Sequence, residues 1–180
     1  MKAIRLLLVS FFVLCVSTAE VIADKKYGND CVVDQGFPQA EDEVLATFAA
    51  IGESIVLGAG LGSDSEYMDD LISFHAYSRK FTEFNHGRLW NGEENEESER
   101  MVFGEVVDEN GVIQFAALPD TLQVAIYCGN VANLTFISDF ILMMGGNEVT
   151  INNLITLLFV KTKGEWKIVH EHHSLADLTP

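Results

Sequence analysis

The sequence predicts an α+β domain in which helices come first and an antiparallel sheet follows. Three observations carry this. Apolar residues recur at helical spacing in the first half of the chain, as with Val44, Phe48, Ile51 and Ile55. From Val112 onward the pattern changes to short apolar runs and alternation separated by turn residues. The chain then closes on two long apolar strands joined at Lys163-Gly164, a gap short enough for a hairpin. With 180 residues, 48% of them hydrophobic, one core and one domain are expected.

Residues 1–23 are expected to be a secretory signal peptide. Lys2 and Arg5 precede an apolar run over residues 6–16 that is short for a membrane span, and small-x-small sites allow cleavage after Ala19 or Ala23. The mature protein would then be secreted or periplasmic, with no membrane partner after cleavage. Residues 24–36 read as a flexible N-terminal tail, 37–176 as the folded domain and 177–180 as a C-terminal tail. The net charge of −16 argues against nucleic acid, which needs a basic footprint. Cys31 and Cys128 remain after cleavage. An oxidising compartment permits a bridge between them, and two separate thiols remain the alternative.

Pro38 suits a first helical turn, and Glu41, Asp42 and Glu43 favour its positive dipole end. Gly58, Gly60 and Gly62 end this helix. Ser63 with Glu66 reads as a capping box for a second helix over residues 64–74, packing Met68, Leu71 and Ile72. Residues 81–84 form a short strand. The acidic stretch 93–99 reads as the solvated start of a third helix that continues through Val107. Strands follow over 112–115 and 122–126, then 131–144, 149–161 and 165–174.

Pairing Thr162 with Glu165 sets the register of the last hairpin. Phe159 then faces Ile168, Leu157 faces His170 and Ile155 faces His172. Alternation places Trp166, Ile168, His170, His172 and Ser174 on one face with Phe159, Leu157 and Ile155. His173 falls on the opposite face, as a surface or interface residue. Both faces are too apolar for one to lie in water, so helices are expected on one and a second subunit on the other.

The last strand, Gly164-Glu165-Trp166-Lys167-Ile168-Val169-His170-Glu171-His172-His173-Ser174, resembles the terminal motif of SnoaL-like domains in the nuclear-transport-factor-2-like superfamily. Residues 124–132 resemble that family's strand followed by a G-D-x-A turn, with Asn130 where Asp is usual. The resemblance implies a cystatin-like roll: a cone-shaped, strongly bent antiparallel sheet wrapped around N-terminal helices, pocketed at its open end and usually dimeric through the outer sheet face. The superfamily includes ketosteroid isomerase, scytalone dehydratase, polyketide cyclases and a calcium/calmodulin-dependent kinase association domain, besides many binding domains.

His170 and His172 sit about 6.5–7 Å apart on one strand face. They are candidates for proton donor and acceptor or for ligand hydrogen-bonders in the cone; the alternative is two core histidines satisfied by carbonyls. Glu83 lies in an apolar strand. Facing the cavity it suits general-base work, and facing outward it is an ordinary solvated Glu. His75, Tyr77 and His86 are candidates for the cavity rim. Trp166, Phe159, Phe81 and Tyr127 are expected to wall a pocket above about 300 Å³. No metal or other cofactor is expected, since two strand-spaced histidines mark no third ligand. The expected function is capture of an unidentified small, partly apolar molecule. The alternatives are an isomerase, dehydratase or cyclase using His or Glu as general acid/base, and a non-catalytic homo-oligomerisation module.

Overall fold

A computed structural model describes residues 35–178. The expected signal peptide and cleavage sites, Cys31, nearly all of the N-terminal tail, and Thr179 and Pro180 of the C-terminal tail lie outside the described residues. Among those described, no helix is long and apolar enough to cross a membrane.

Helix α1, Pro38–Gly58, starts on its proline and buries Val44, Ile51 and Ile55, which lie along one face at helical spacing. Helix α2, Glu66–Ser73, is capped by Ser65, whose hydroxyl accepts from the Met68 amide. The cap is therefore Ser65 and not Ser63, because the loop after α1 runs two residues further before the chain turns helical. Strands β1, Thr82–Asn85, and β2, Arg88–Trp90, form a short hairpin. Asn91 and Glu94 make a reciprocal capping box that starts α3, Gly92–Met101. The helix then widens into a π-helical turn over Val102–Val106. A close approach shapes that turn: a Cβ on Gly104 would lie 2.8 Å from the backbone of Gly62.

The sheet comprises β1 and β2 with β3 (Val112–Ala117), β4 (Gln123–Tyr127), β5 (Val131–Met144), β6 (Asn147–Ile151), β7 (Asn153–Thr162) and β8 (Glu165–Leu175). Its order is β2-β1-β8-β7-β5-β3, and β4 and β6 also pair with β5. The first half of β5 lies between β4 and β7, and its second half between β3 and β6. Exchanging partners midway turns the sheet around the helices. Along β5, Ala132, Leu134, Phe136, Ser138, Phe140 and Leu142 point into the core in strict alternation. All pairings are antiparallel except β1 with β8.

The strand expected over 149–161 is split between β6 and β7. The fully buried Ser138 hydroxyl donates to the Ile151 carbonyl and accepts from the Asn153 amide, while the Asn152 side chain donates to the Ser138 carbonyl. These bonds substitute for the ladder where the chain changes direction. Lys163 and Gly164, with φ of 53° and 89°, close the β7–β8 hairpin in the left-handed region.

The expected register holds from Thr162↔Glu165 to Phe159↔Ile168 and then slips. Leu158 pairs with His170, Leu157 with Glu171 and Ile155 with His173, leaving Val169 as the extra residue of a β-bulge. Ile168 also bonds to the segment after α2, through its amide to the Phe74 carbonyl and its carbonyl to the Ala76 amide. Immediately beyond, β8 takes β1 as its neighbour, beginning at Thr82↔His170. The bulge therefore sits where the strand exchanges one edge partner for another.

Candidate functional site

The bulge decides which side chains enter the cone. One inserted residue reverses the alternation, so Trp166 and Ile168 point inward before it and Glu171 and His173 after it. His170 and His172 turn to the outer face. This corrects the expected shared face of His170, His172 and Ser174 with Leu157 and Ile155. It also corrects the placement of His173 on the opposite face.

Inside the cone is a hollow of about 60 Å³. Phe48, Ile55, Phe103, Phe136, Ile155 and Leu157 supply hydrocarbon walls, and His75, Glu99, Glu171 and His173 supply one polar side. The hollow falls well short of the expected ligand-sized pocket, because aromatic rings fill the space. Phe48 meets Phe136 edge-on at 5.0 Å between centroids, and Phe115 stacks on Phe140 at 4.3 Å. The His173 side chain is 21% exposed and marks where the hollow nears the surface.

The polar side is a connected network. His75, at the end of α2, has Nδ1 3.1 Å from the Leu71 carbonyl and Nε2 3.0 Å from Glu171 Oε1. The Asn95 amide on α3 donates to Glu83 Oε2 at 2.8 Å and to Glu171 Oε2 at 3.1 Å. Asn85 donates to Glu83 Oε1 at 2.8 Å, and the Tyr77 hydroxyl donates to Asn95 Oδ1. Tyr77 also stacks on the His75 ring. Glu83 and Glu171 are direct neighbours across β1 and β8, 1% and 4% exposed. His173 Nε2 lies 3.6 Å from Glu171 Oε2, beyond hydrogen-bond reach, and this buried nitrogen makes no hydrogen bond.

Burial and charge then set the proton positions. Burial alone would lower the His75 and His173 pKa values, but the Glu171 carboxylate offsets it and holds both above the usual imidazole value. Burial works against ionisation of Glu171, and the two imidazoles overcome it, keeping this carboxyl below its usual range. Burial, reinforced by the negative Glu171, pushes the Glu99 carboxyl up to about 7. His75 and His173 pull it downward, but they do not prevail. The Tyr77 hydroxyl is raised, first by burial and then by Glu99. A neutral-range acid thus shares a wall with an ionised carboxylate, the separation of roles that acid–base sites use.

The sequence candidates disperse. Glu83 is buried at 1% and belongs to the network, so its outward, solvated placement is excluded. His170 Nδ1 donates to the Thr82 carbonyl at 2.8 Å, and His172 is exposed; both lie beside the outer Phe84 ring. Phe81 packs edge-on against Tyr77 and His75, behind the network. Phe159 is fully buried core. The Trp166 indole donates to Glu43 and lines an outer groove with Thr47 and Lys167. Tyr127 lies in another groove with Phe37 and Val124 and is 37% exposed. Neither Trp166 nor Tyr127 walls the hollow. Of the expected rim residues, His75 and Tyr77 join the site and His86 sits at the β1–β2 turn.

Asn95, Glu99, Glu171 and His173 went unrecognised. Asn95 and Glu99 carried a signal, since a spacing of four places them on one helix face within a run otherwise suited to solvent. Glu171 and His173 carried none, because a bulge leaves no mark in an alternating sequence. Cys128 is disulfide-bonded, and the partner in that bond lies outside the described residues.

A family model for a SnoaL-like domain matches residues 63–177. Among solved structures, the chain is similar to a nuclear transport factor 2-like superfamily protein from Salmonella enterica serovar Typhimurium, with 15% identity, a TM-score of 0.60 and coverage of 79% of this chain and 95% of that one. It is similar to an uncharacterised protein with a cystatin-like fold from Caulobacter vibrioides at 13% identity and a TM-score of 0.57, covering 78% and 92%. It is also similar to the CamKII hub homology domain of Chlamydomonas reinhardtii at 22% identity and a TM-score of 0.53, covering 77% and 99%. At these identities the likeness shows the fold. No curated protein matches.

Proposed function

Since the chain belongs to the SnoaL-like domain family, we propose that it takes one polar group of a small, partly apolar molecule into the cone hollow, whose aromatic walls must part to admit the hydrocarbon body, and exchanges a proton with it there. The carrying observation is the one-sided lining: His75, Glu99, Glu171 and His173 share one wall of a cavity otherwise built from Phe, Ile and Leu side chains. Such a surface desolvates an apolar body and leaves one hydroxyl or carbonyl to meet titratable groups. Glu171, held ionised by His75, stabilises positive charge on a neighbour. Glu99, near neutrality, gives or takes the proton. This is the chemistry of an isomerase or dehydratase class. His170 and His172 take no part in it.

The test is a fragment screen by NMR on the mature chain. Small molecules carrying one carbonyl or hydroxyl on a hydrocarbon body are expected to shift Ile55, Ile155 and His173 signals together, and Glu99→Gln is expected to change which of them bind. A screen in which every hit shifts only the outer-face His170 and His172 rules the reading out.

A second copy on the outer sheet face belongs to the same reading. Phe84 and Leu154 are 49% and 47% exposed there, beside His172. The hub homology domain among the similar structures supports it. A monomer at ~10 µM in sedimentation would exclude it. Export through the N-terminal segment is likewise proposed, and the disulfide at Cys128 supports an oxidising compartment.

A further inference from the structure

We propose that Glu83, Glu171 and His173 form a binding site for one divalent transition-metal ion, a role beyond the ligand reading above that shares Glu171 and His173 with it. A carboxylate oxygen from each glutamate and a ring nitrogen of His173 all lie within 4.8 Å of one another. The His173 Nε2 is buried without a hydrogen-bond partner, and it faces Glu171 Oε2 at 3.6 Å. That separation is too long for a hydrogen bond. It suits two ligands that flank a shared cation at about 2.0–2.2 Å each.

The charge arrangement points the same way. Glu83 and Glu171 stand side by side across parallel strands, nearly without solvent. His75 offsets one of the two negative charges, and a metal ion would take the place of the proton that the carboxylates favour on His173. The hydrogen bonds to Glu83 come from the neutral amides of Asn85 and Asn95. Two adjacent buried carboxylates repel unless a cation lies between them. The surrounding bonds also resemble the outer shell of a metal site. His75 and Asn95 hold Glu171, and Asn85 and Asn95 hold Glu83, fixing both carboxylates while each oxygen keeps a second lone pair for a metal.

Two carboxylates with one imidazole suit Zn²⁺, Mn²⁺ or Fe²⁺ better than Ca²⁺ or Cu⁺. Three protein ligands leave a coordination position open, and both Glu171 and His173 line the hollow. The absence of a third ligand, the ground for expecting no metal, no longer holds. The bulge supplies Glu171 and His173, and β1 supplies Glu83.

The experiment titrates tag-free mature protein, stripped with chelator, with Co²⁺ followed by its visible bands and with Zn²⁺ followed by calorimetry. One ion per chain is expected, with Kd on the order of 10 µM or tighter. Glu83→Gln and His173→Ala should each weaken it at least about tenfold, and His172→Ala should leave it unchanged. His173 is partly exposed, so its alanine variant keeps the test valid if the Glu83 variant fails to fold by circular dichroism. No binding of Co²⁺, Zn²⁺ or Mn²⁺ at about 1 mM overturns the proposal. So does binding that survives His173→Ala or is lost with His172→Ala. Fragment binding by metal-free protein tests the ligand reading separately.

Discussion

His75 Nε2 lies 3.0 Å from Glu171 Oε1 while its Nδ1 lies 3.1 Å from the Leu71 carbonyl, with the two side chains 2% and 5% exposed. A carbonyl only accepts, so Nδ1 carries a proton. Nε2 faces a carboxylate, so the second proton lies between them and the pair is imidazolium with carboxylate. This pair joins the end of α2 to β8 and anchors the polar side of the cone.

Removing one partner leaves a buried charge without its counterpart. His75→Ala is expected to cost about 3–5 kcal/mol, read from urea denaturation at pH 6. The double variant His75→Ala/Glu171→Ala should cost less than the sum of the single variants by roughly 1–3 kcal/mol. Additive costs would show that the two groups do not interact.

The pH dependence is set by His75, Glu171 and Glu99, with His173, also raised, following His75 in sign. His75 is raised above 6.5, so its contribution is full below 6.5 and is lost as pH rises through the raised value. Glu171 is lowered below 4.5, so its contribution is full above 4.5 and is lost as pH falls through the lowered value. Glu99 is raised from 4.5 to about 7, so its contribution is full below 4.5 and fades as pH climbs to about 7. Stability should therefore decline between about pH 5 and pH 8. Glu99→Gln, which cannot ionise, should flatten that decline and gain roughly 1–3 kcal/mol at pH 8 relative to pH 5. Urea midpoints across this range check it, and a parallel pH profile for both proteins would refute the placement of Glu99.

The bulge predicts opposite fates for residues near one another in β8. His172→Ala on the outer face should change stability by no more than about 0.5 kcal/mol. Glu171→Ala on the inner face, by contrast, leaves the buried His75 imidazolium without its partner. A loss of at least about 3 kcal/mol, or of cooperative unfolding, is expected. Thermal melts by circular dichroism distinguish the two.

Gly52, buried in α1, tests the packing of helix on sheet. Alanine is normally better than glycine in a helix by up to ~1 kcal/mol. Here its Cβ would lie 2.7 Å from the Phe115 ring, which is stacked on Phe140 and so cannot swing freely. Gly52→Ala should lower stability by about 1–3 kcal/mol, measured by the same melts. A gain would show slack around Phe115.

Local patterns were legible in the sequence wherever a periodicity or a turn carried them. The spacing of Val44, Ile51 and Ile55 foretold α1 and its buried face, and Lys163-Gly164 foretold the closing hairpin and its first four paired positions. The terminal motif foretold the family. The split at Asn152 and the outer placement of His170 and His172 escaped, because each depends on what lies beside the strand. Ser138 on β5 replaces the ladder at the first. At the second, the β8 edge passes from the segment after α2 to β1, and the chain absorbs the change with one extra residue.

The sequence by itself determined the helices, most of the strands, their order and the need to cover apolar faces, since those follow from periods of 3.6 and 2 along a single chain. Only the tertiary structure decided which titratable groups share a low-dielectric space. His75, Glu83, Asn95, Glu99, Glu171 and His173 come from three separate elements and the segment just after α2. Their protonation depends on proximity and burial, which no linear spacing encodes, and a single inserted residue exchanges the inward set for its neighbours.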